Sequence, residues 1–150
     1  MSDSLVFEKP AIGRGALAGV VATAALSVLM VMKAAMGLMP ELNPVGTIAN
    51  MLGVPVSVGW VVHFAIGTIW GIAFALVSHM LPGAFWLRGM LFSIAPWLAM
   101  MIVMMPMAGD GFFGLNLGMA GPVMTLVLHL FFGAVLGAVY GARAGRMRPA

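Results

Sequence analysis

Four long apolar runs constrain the fold of this chain more than any other feature. They cover residues 15–39, 58–81, 87–107 and 119–142. About 20 helical residues cross a hydrocarbon core about 30 Å thick, and each run is long enough to do so. In lipid, backbone N–H and C=O groups must be paired within their own segment, which predicts helices. Because only 7% of the residues are charged, against about a quarter in a soluble domain, we predict one all-α transmembrane domain over residues 1–150.

The few charged residues predict an orientation. Basic residues flank the runs at ends that would share one side: Lys9, Arg14, Arg88, Arg143, Arg146 and Arg148. The other connections, at 40–57 and 108–118, contain acids and no Lys or Arg. The positive-inside rule therefore places both termini in the cytoplasm. Lys33, near the outer end of the first run, is expected to extend its stem outward to water. The scattered basic residues form no phosphate-tracking patch, so we expect no nucleic-acid partner.

The first outer connection carries the signals of a short helix. Asn43 is a capping residue, Pro44 suits the first turn and Gly53 is a stop signal. Apolar side chains cluster at helical spacing at Ile48, Met51 and Leu52. We therefore expect this helix to lie on the membrane surface.

The third run and the connection after it have their own signals. Pro96 and Pro106 each remove a backbone hydrogen bond, which predicts kinks. In the glycine-rich connection that follows, Phe112 and Phe113 are expected to be interface anchors.

The chain contains an internal repeat. Placing His63 over His129 aligns HFAIGTIWGIAFA with HLFFGAVLGAVYG, so that each His is followed by Gly at four and eight residues and an aromatic at eleven. Placing Arg14 over Arg88 aligns the first run with the third. The four helices are thus predicted to form two parallel-repeat hairpins, related by a pseudo-two-fold axis along the membrane normal.

A stripe of small residues follows from the same alignment. Residues four apart lie on one helix face, and small ones allow close approach of membrane helices. The glycines predicted to pack in this way are Gly15, Gly19, Gly59, Gly67, Gly71, Gly133, Gly137 and Gly141. In the second run the spacing extends to His79.

His63 and His129 are the candidate cofactor ligands, because they fall at equivalent positions in the outer half of the membrane. Two imidazoles could ligate the iron of haem b. With methionine thioethers such as Met101 and Met105, they could instead hold copper. The alternative is that each His donates to a backbone carbonyl or to a hydroxyl such as that of Thr125. Our first expectation is that the protein has no cofactor.

Missing groups narrow the chemistry further. The acids are Asp3, Glu8, Glu41 and Asp110, all outside the runs, and the chain has no cysteine. Ion-coupled transporters typically use carboxylates within the membrane. Nucleophilic catalysis needs a nucleophile, a base and an orienting group in close contact. We therefore expect that this protein is not an enzyme.

Two segments carry a resemblance to a known group: HFAIGTIWGIAFALVSHMLPGAFWLRGMLFSIAPWLAMMIVMMPMAG and LVLHLFFGAVLGAVYG. The shared features are a His at the start of a helix, a proline-containing inner turn, the step Pro106-Met107-Ala108-Gly109 and a later His-containing helix. Over about residues 60–140 the chain resembles the YagU-like small bacterial inner-membrane proteins. The resemblance implies a bacterial inner-membrane location and a four-helix core. It brings no catalytic residues with it, and the long methionine-rich outer loop departs from the group.

Three functions remain open. The first is a non-enzymatic inner-membrane protein that acts by helix packing, in the lipid bilayer, with itself or as an accessory subunit of a membrane complex. The second is a haem- or copper-binding protein that uses His63 and His129. The third is a small-solute transporter, suggested by the repeat and by the prolines of the third run.

Overall fold

A computed structural model describes residues 11–145, with side chains described to residue 143. The α-helices are α1 (Ile12–Ala35), α2 (Pro44–Leu52), α3 (Val56–Val77), α4 (Phe85–Ala99), α5 (Met105–Ala108) and α6 (Ala120–Gly145). A 3₁₀ turn at Ser78–Met80 extends α3, a π-helical turn at Met100–Met104 joins α4 to α5, and 3₁₀ turns cover Phe112–Leu117. Lys9, Arg146 and Arg148, used above to predict the orientation, lie outside the described residues.

Four helical segments are long and apolar enough to cross a membrane. They are Ile12–Ala35, Val56–Met80, Phe85–Ala108 and Ala120–Arg143. Each overlaps one predicted run and begins or ends within a few residues of it. The all-α fold with four membrane-spanning segments is therefore confirmed. We call the end with Arg14, Arg88 and Arg143 the basic end, and the end with Glu41 and Asp110 the acidic end.

The spanning helices pack in two antiparallel pairs. α1 lies against α3 and α4 lies against α6, and contacts between α1 and α6 join the pairs. Near the basic end, the guanidinium of Arg14 on α1 lies 4.7 Å from the ring centroid of Tyr140 on α6. Phe74 and Leu136 are fully buried in the same region. The main core of the protein includes these residues and extends along α1 to Met30, toward the acidic end.

Glycines allow both pairs to approach backbone to backbone. A Cβ added at Gly15 would lie 2.5 Å from the carbonyl oxygen of Gly71, and one at Gly19 would lie 2.5 Å from that of Gly67. In the second pair, a Cβ at Gly89 would collide with the backbone of Gly133. Such contacts are too close for any side chain, so these positions require glycine.

The other predicted packing glycines also lie at contacts. Gly137 and Gly141 on α6 face Phe85 of α4, and Gly59 on α3 faces the carbonyl oxygen of Val45 on α2. The stripe ends earlier than its spacing suggested, because His79 lies in the 3₁₀ turn after α3 and is exposed. The change from α-helical to 3₁₀ geometry rotates His79 off the packed face.

Lys33 does not extend to water as expected. Its side chain is 8% exposed. Its Nζ donates hydrogen bonds to the carbonyl oxygens of Leu38 at 3.0 Å, Met39 at 2.6 Å and Leu42 at 3.0 Å. An ammonium group has three donors, and the loop after α1 accepts all of them. Lys33 thus ties this loop back onto the end of α1.

The short helix α2 forms where the sequence predicted it. The side chain of Asn43 accepts a hydrogen bond from the N–H of Gly46 at 3.0 Å, and Gly53 ends the helix with φ at 64°. The expected surface position is wrong for Ile48, which is buried. α2 packs on α3 because Gly59 leaves room for its backbone.

The third spanning segment changes geometry before Pro106. The N–H of Met105 bonds to the carbonyl of Met100, five residues back, in a π-helical turn. Widening the helix in this way accommodates a proline that cannot donate and whose ring would clash in a regular α-helix. Beyond it, Phe113 is not an interface anchor, because its ring packs inward on Trp97 with centroids 5.9 Å apart. Phe112 is 58% exposed.

Replacing Gly89 by alanine should destabilise the protein by about 1–3 kcal/mol, because the new methyl group forces α4 away from α6. Thermal unfolding of the detergent-purified protein, followed by circular dichroism, measures this. The matched control is Gly13→Ala on α1, where a Cβ meets nothing within 4 Å. That change should be neutral or stabilising by up to about 1 kcal/mol. Equal effects of the two substitutions would contradict the packing described.

Replacing Lys33 by methionine should loosen the loop at residues 38–42. Methionine has a similar length but no donor, so it leaves three backbone carbonyls without their partner, at a cost of about 1–3 kcal/mol. Hydrogen exchange of the amides in this loop should become faster, whereas exchange in α6 should stay slow. Unchanged exchange in the loop would show that the ammonium group does not hold it.

Candidate functional site

The candidate site is a cavity of about 360 Å³ toward the acidic end. All four spanning segments and α2 contribute to its wall. The cavity exists because the glycine contacts draw α1 onto α3 and α4 onto α6, while α3 and α4 meet mainly through aromatic rings. Phe92 of α4 lies edge-on to Trp70 and Phe74 of α3, at centroid distances of 5.9 Å and 5.4 Å. Beyond these rings the two helices leave space between them.

The wall of the cavity is mainly apolar, with a few polar groups. Two histidines, His63 and His129, face the same cavity, so the structure brings the predicted pair together. Thr23 of α1 and Thr125 of α6 also line it. This combination of apolar surface and a few polar groups is typical of small-molecule sites.

His129 is oriented by its own helix. Its Nδ1 lies 2.8 Å from the carbonyl oxygen of Thr125, one turn earlier. Because a carbonyl oxygen only accepts, Nδ1 carries the proton in this hydrogen bond. In the neutral ring the lone pair then lies on Nε2, on the opposite side of the imidazole. His129 therefore offers the cavity a hydrogen-bond acceptor or a metal ligand.

His63 is held by aromatic contacts. Its ring lies edge-on to Trp60 and Phe64, with centroid distances of 6.0 Å and 6.1 Å. Its Nε2 is buried and finds no hydrogen-bond partner among residues 11–143. An unpaired buried nitrogen is costly and calls for a functional explanation.

The predicted methionine ligands separate. Met105 lines the cavity, as do Met30, Met100 and Met104. Met101 instead is fully buried behind the wall, where its sulfur lies 3.9 Å from the hydroxyl of Thr125. In the described part of the chain, no group of three or more His, Cys, Asp or Glu residues could hold a metal. A metal in this cavity would therefore need thioether ligands in addition to the histidines.

The rim of the cavity is formed by residues of the acidic end. Glu41 and Asp110, from the two connections, border the cavity together with Asn43 and Thr47. The wall between α3 and α4 has a different character, because its aliphatic residues Ile66 and Val103 are 40% and 55% exposed.

Sequence reasoning identified the two histidines but missed much of the site. Trp70 and Phe132 line the cavity although nothing in the apolar runs distinguishes them from lipid-facing residues. Gly89 was missed as a packing residue. The alignment of Arg14 with Arg88 carries the signal that could have found it, because Gly89 then corresponds to Gly15.

These features define the class of the protein as a multi-pass helical membrane protein with a mostly apolar cavity among its spanning helices. Residues 10–150 match a family of unknown function (DUF6789), and the chain belongs to that family. No curated protein and no solved structure matches the chain. The match brings no evidence specific to the YagU-like group, and that resemblance stays a prediction.

Proposed function

We propose that this protein is a non-enzymatic membrane protein that binds a small, largely apolar molecule in the cavity lined by His63 and His129. The cavity carries the proposal. Its volume of about 360 Å³ lies near the lower end of the range of about 300–1,000 Å³ for small-molecule sites. This favours a small ligand over a macrocycle such as haem. The absence of cysteine, and the position of all four acids outside the predicted runs, support a binding role over catalysis.

An accessory-subunit or self-association role stays a prediction with less support than the sequence suggested. The glycines that motivated it are used within the chain, between α1 and α3 and between α4 and α6. The exposed surface of the spans consists of long aliphatic side chains, such as Val28, Val61 and Ile69. A surface of this kind suits lipid as well as it suits a partner helix.

We also propose a repeat, an orientation and a membrane location for the bundle. We propose two related hairpins with both termini in the cytoplasm of a bacterial cell and the bundle in the inner membrane. Equivalent contacts support the relationship, because Gly15 meets Gly71 and its counterpart Gly89 meets Gly137, the counterpart of Gly71. The orientation is supported by Arg14, which shares the basic end with Arg88 and Arg143.

A small apolar probe tests the proposed function. 1-Methylnaphthalene should raise the melting temperature of the detergent-purified protein in a saturable way, because a ligand bound only by the folded state stabilises it. Ala99→Phe, which places a ring in the cavity wall, should abolish this stabilisation. The matched control is Ala95→Phe, one turn earlier on α4, where the alanine is exposed and is not among the cavity-lining residues. No saturable stabilisation of the unmodified protein would refute the proposal.

Copper binding is the second candidate function, favoured by the free Nε2 of His129 and by Met105 in the same wall. If it is correct, detergent-purified protein should take Cu(I) from a chromogenic chelator with a stoichiometry near one. His129→Ala should abolish this uptake, whereas His79→Ala, at an exposed position after α3, should not. Colourless protein that takes up no copper and shows no haem absorption would exclude both copper binding and haem binding.

A further inference from the structure

We infer that the cavity receives a lipid-soluble molecule carrying a hydrogen-bond donor, a hydroxyl or an amine, from the bilayer, and that Nε2 of His129 accepts its hydrogen bond. The inference rests on the proposed function and names the chemical class of its ligand. It follows from the hydrogen-bond character of the cavity and from the wall between α3 and α4.

Three polar side chains of the spanning helices, those of Thr23, Thr125 and His129, offer the cavity acceptors. The hydroxyl of Thr23 donates to the carbonyl of Gly19 at 2.7 Å. The hydroxyl of Thr125 donates to the carbonyls of Gly121 and Pro122, each at 3.0 Å. Since each hydroxyl has one hydrogen, both threonines keep only lone pairs for a ligand.

The remaining groups include His129, the rim carboxylates and ring N–H groups. The proton of His129 is on Nδ1, bound to the carbonyl of Thr125, so Nε2 accepts. The indole N–H of Trp97 bonds to the hydroxyl of Thr125 at 3.2 Å. His63 and Trp70, which line the cavity, each carry one ring N–H that can donate. At the rim, the carboxylates of Glu41 and Asp110 also accept. A ligand that only accepts hydrogen bonds would leave Nε2 of His129 unpaired, whereas a hydroxyl or an amine can donate to it and can also accept from a ring N–H.

The wall of the cavity between α3 and α4 is the part that favours a lipid-soluble ligand. Ile66 and Val103 border the cavity, and both are aliphatic side chains that stay more than a third exposed. The aromatic contacts of Phe92 with Trp70 and Phe74 close the gap between α3 and α4 on the basic side of these two residues. A molecule dissolved in the bilayer can therefore pass between the two helices without crossing the polar rim.

Two probes of nearly equal shape test the inference. 1-Naphthol carries a hydroxyl where 1-methylnaphthalene carries a methyl group, so the ratio of their dissociation constants reports the hydrogen bond. Both constants come from the concentration dependence of the melting temperature of the full chain in detergent. In His129→Phe, which keeps a planar ring without an acceptor, the preference for 1-naphthol should fall about tenfold relative to the unmodified protein. His79→Phe is the matched control and should keep the preference.

The outcomes separate this inference from the proposed function. A preference that survives His129→Phe overturns the role of His129. Equal affinity of the unmodified protein for both probes overturns the donor requirement but leaves the binding function intact. Failure of both probes to bind refutes the proposed function, and this inference with it. If His129→Phe does not fold, His129→Leu provides the second variant: it also lacks an acceptor and should lose the preference, and a preference that survives in it overturns the role of His129.

Discussion

The rest of the structure depends on the close approach of backbones at glycines. Gly15 and Gly71 bring α1 against α3, and Gly89 and Gly133 bring α4 against α6. Without a hydrophobic driving force between helices in lipid, this proximity supplies the van der Waals contact that holds each pair. The same pairing of helices determines where a gap remains between them. Among the four spanning segments, each makes its glycine contacts with one other segment, so α3 and α4 meet through large aromatic rings. The cavity is a direct result of pairing the helices in this way.

The acidic end is closed by interactions of a different kind. α2 crosses this end and places Ile48 against the cavity, and it is held by the contact with Gly59. The loop before α2 turns back because Lys33 donates to three of its carbonyls. A charged group buried at a membrane depth is costly unless its hydrogen bonds are satisfied, and here the backbone satisfies all of them. The ammonium group thus serves the loop instead of reaching water.

Much of the fold could be predicted because lipid leaves few alternatives. Four apolar runs of sufficient length require four helices, and Asn43, Pro44 and Gly53 defined α2 to the residue. The pair His63 and His129 was visible in the repeat. The glycine stripe indicated a packed face, but it could not show which large side chains beside it line a cavity, so Trp70 and Phe132 were not identified. The position of Lys33 was misjudged for a related reason, since its partners are backbone carbonyls, which every residue has.

The character of the cavity follows from how polar side chains survive within spanning helices. Thr23, Thr68, Thr125 and His129 each direct a polar atom to the carbonyl four residues earlier in their own helix. This arrangement satisfies the donor locally, as lipid demands, and it consumes every proton that the threonine hydroxyls could offer elsewhere. What remains on these groups is lone pairs. These groups therefore support the proposed preference for a ligand that donates. His129 is the group among them whose free lone pair lies on the side opposite its bonded nitrogen.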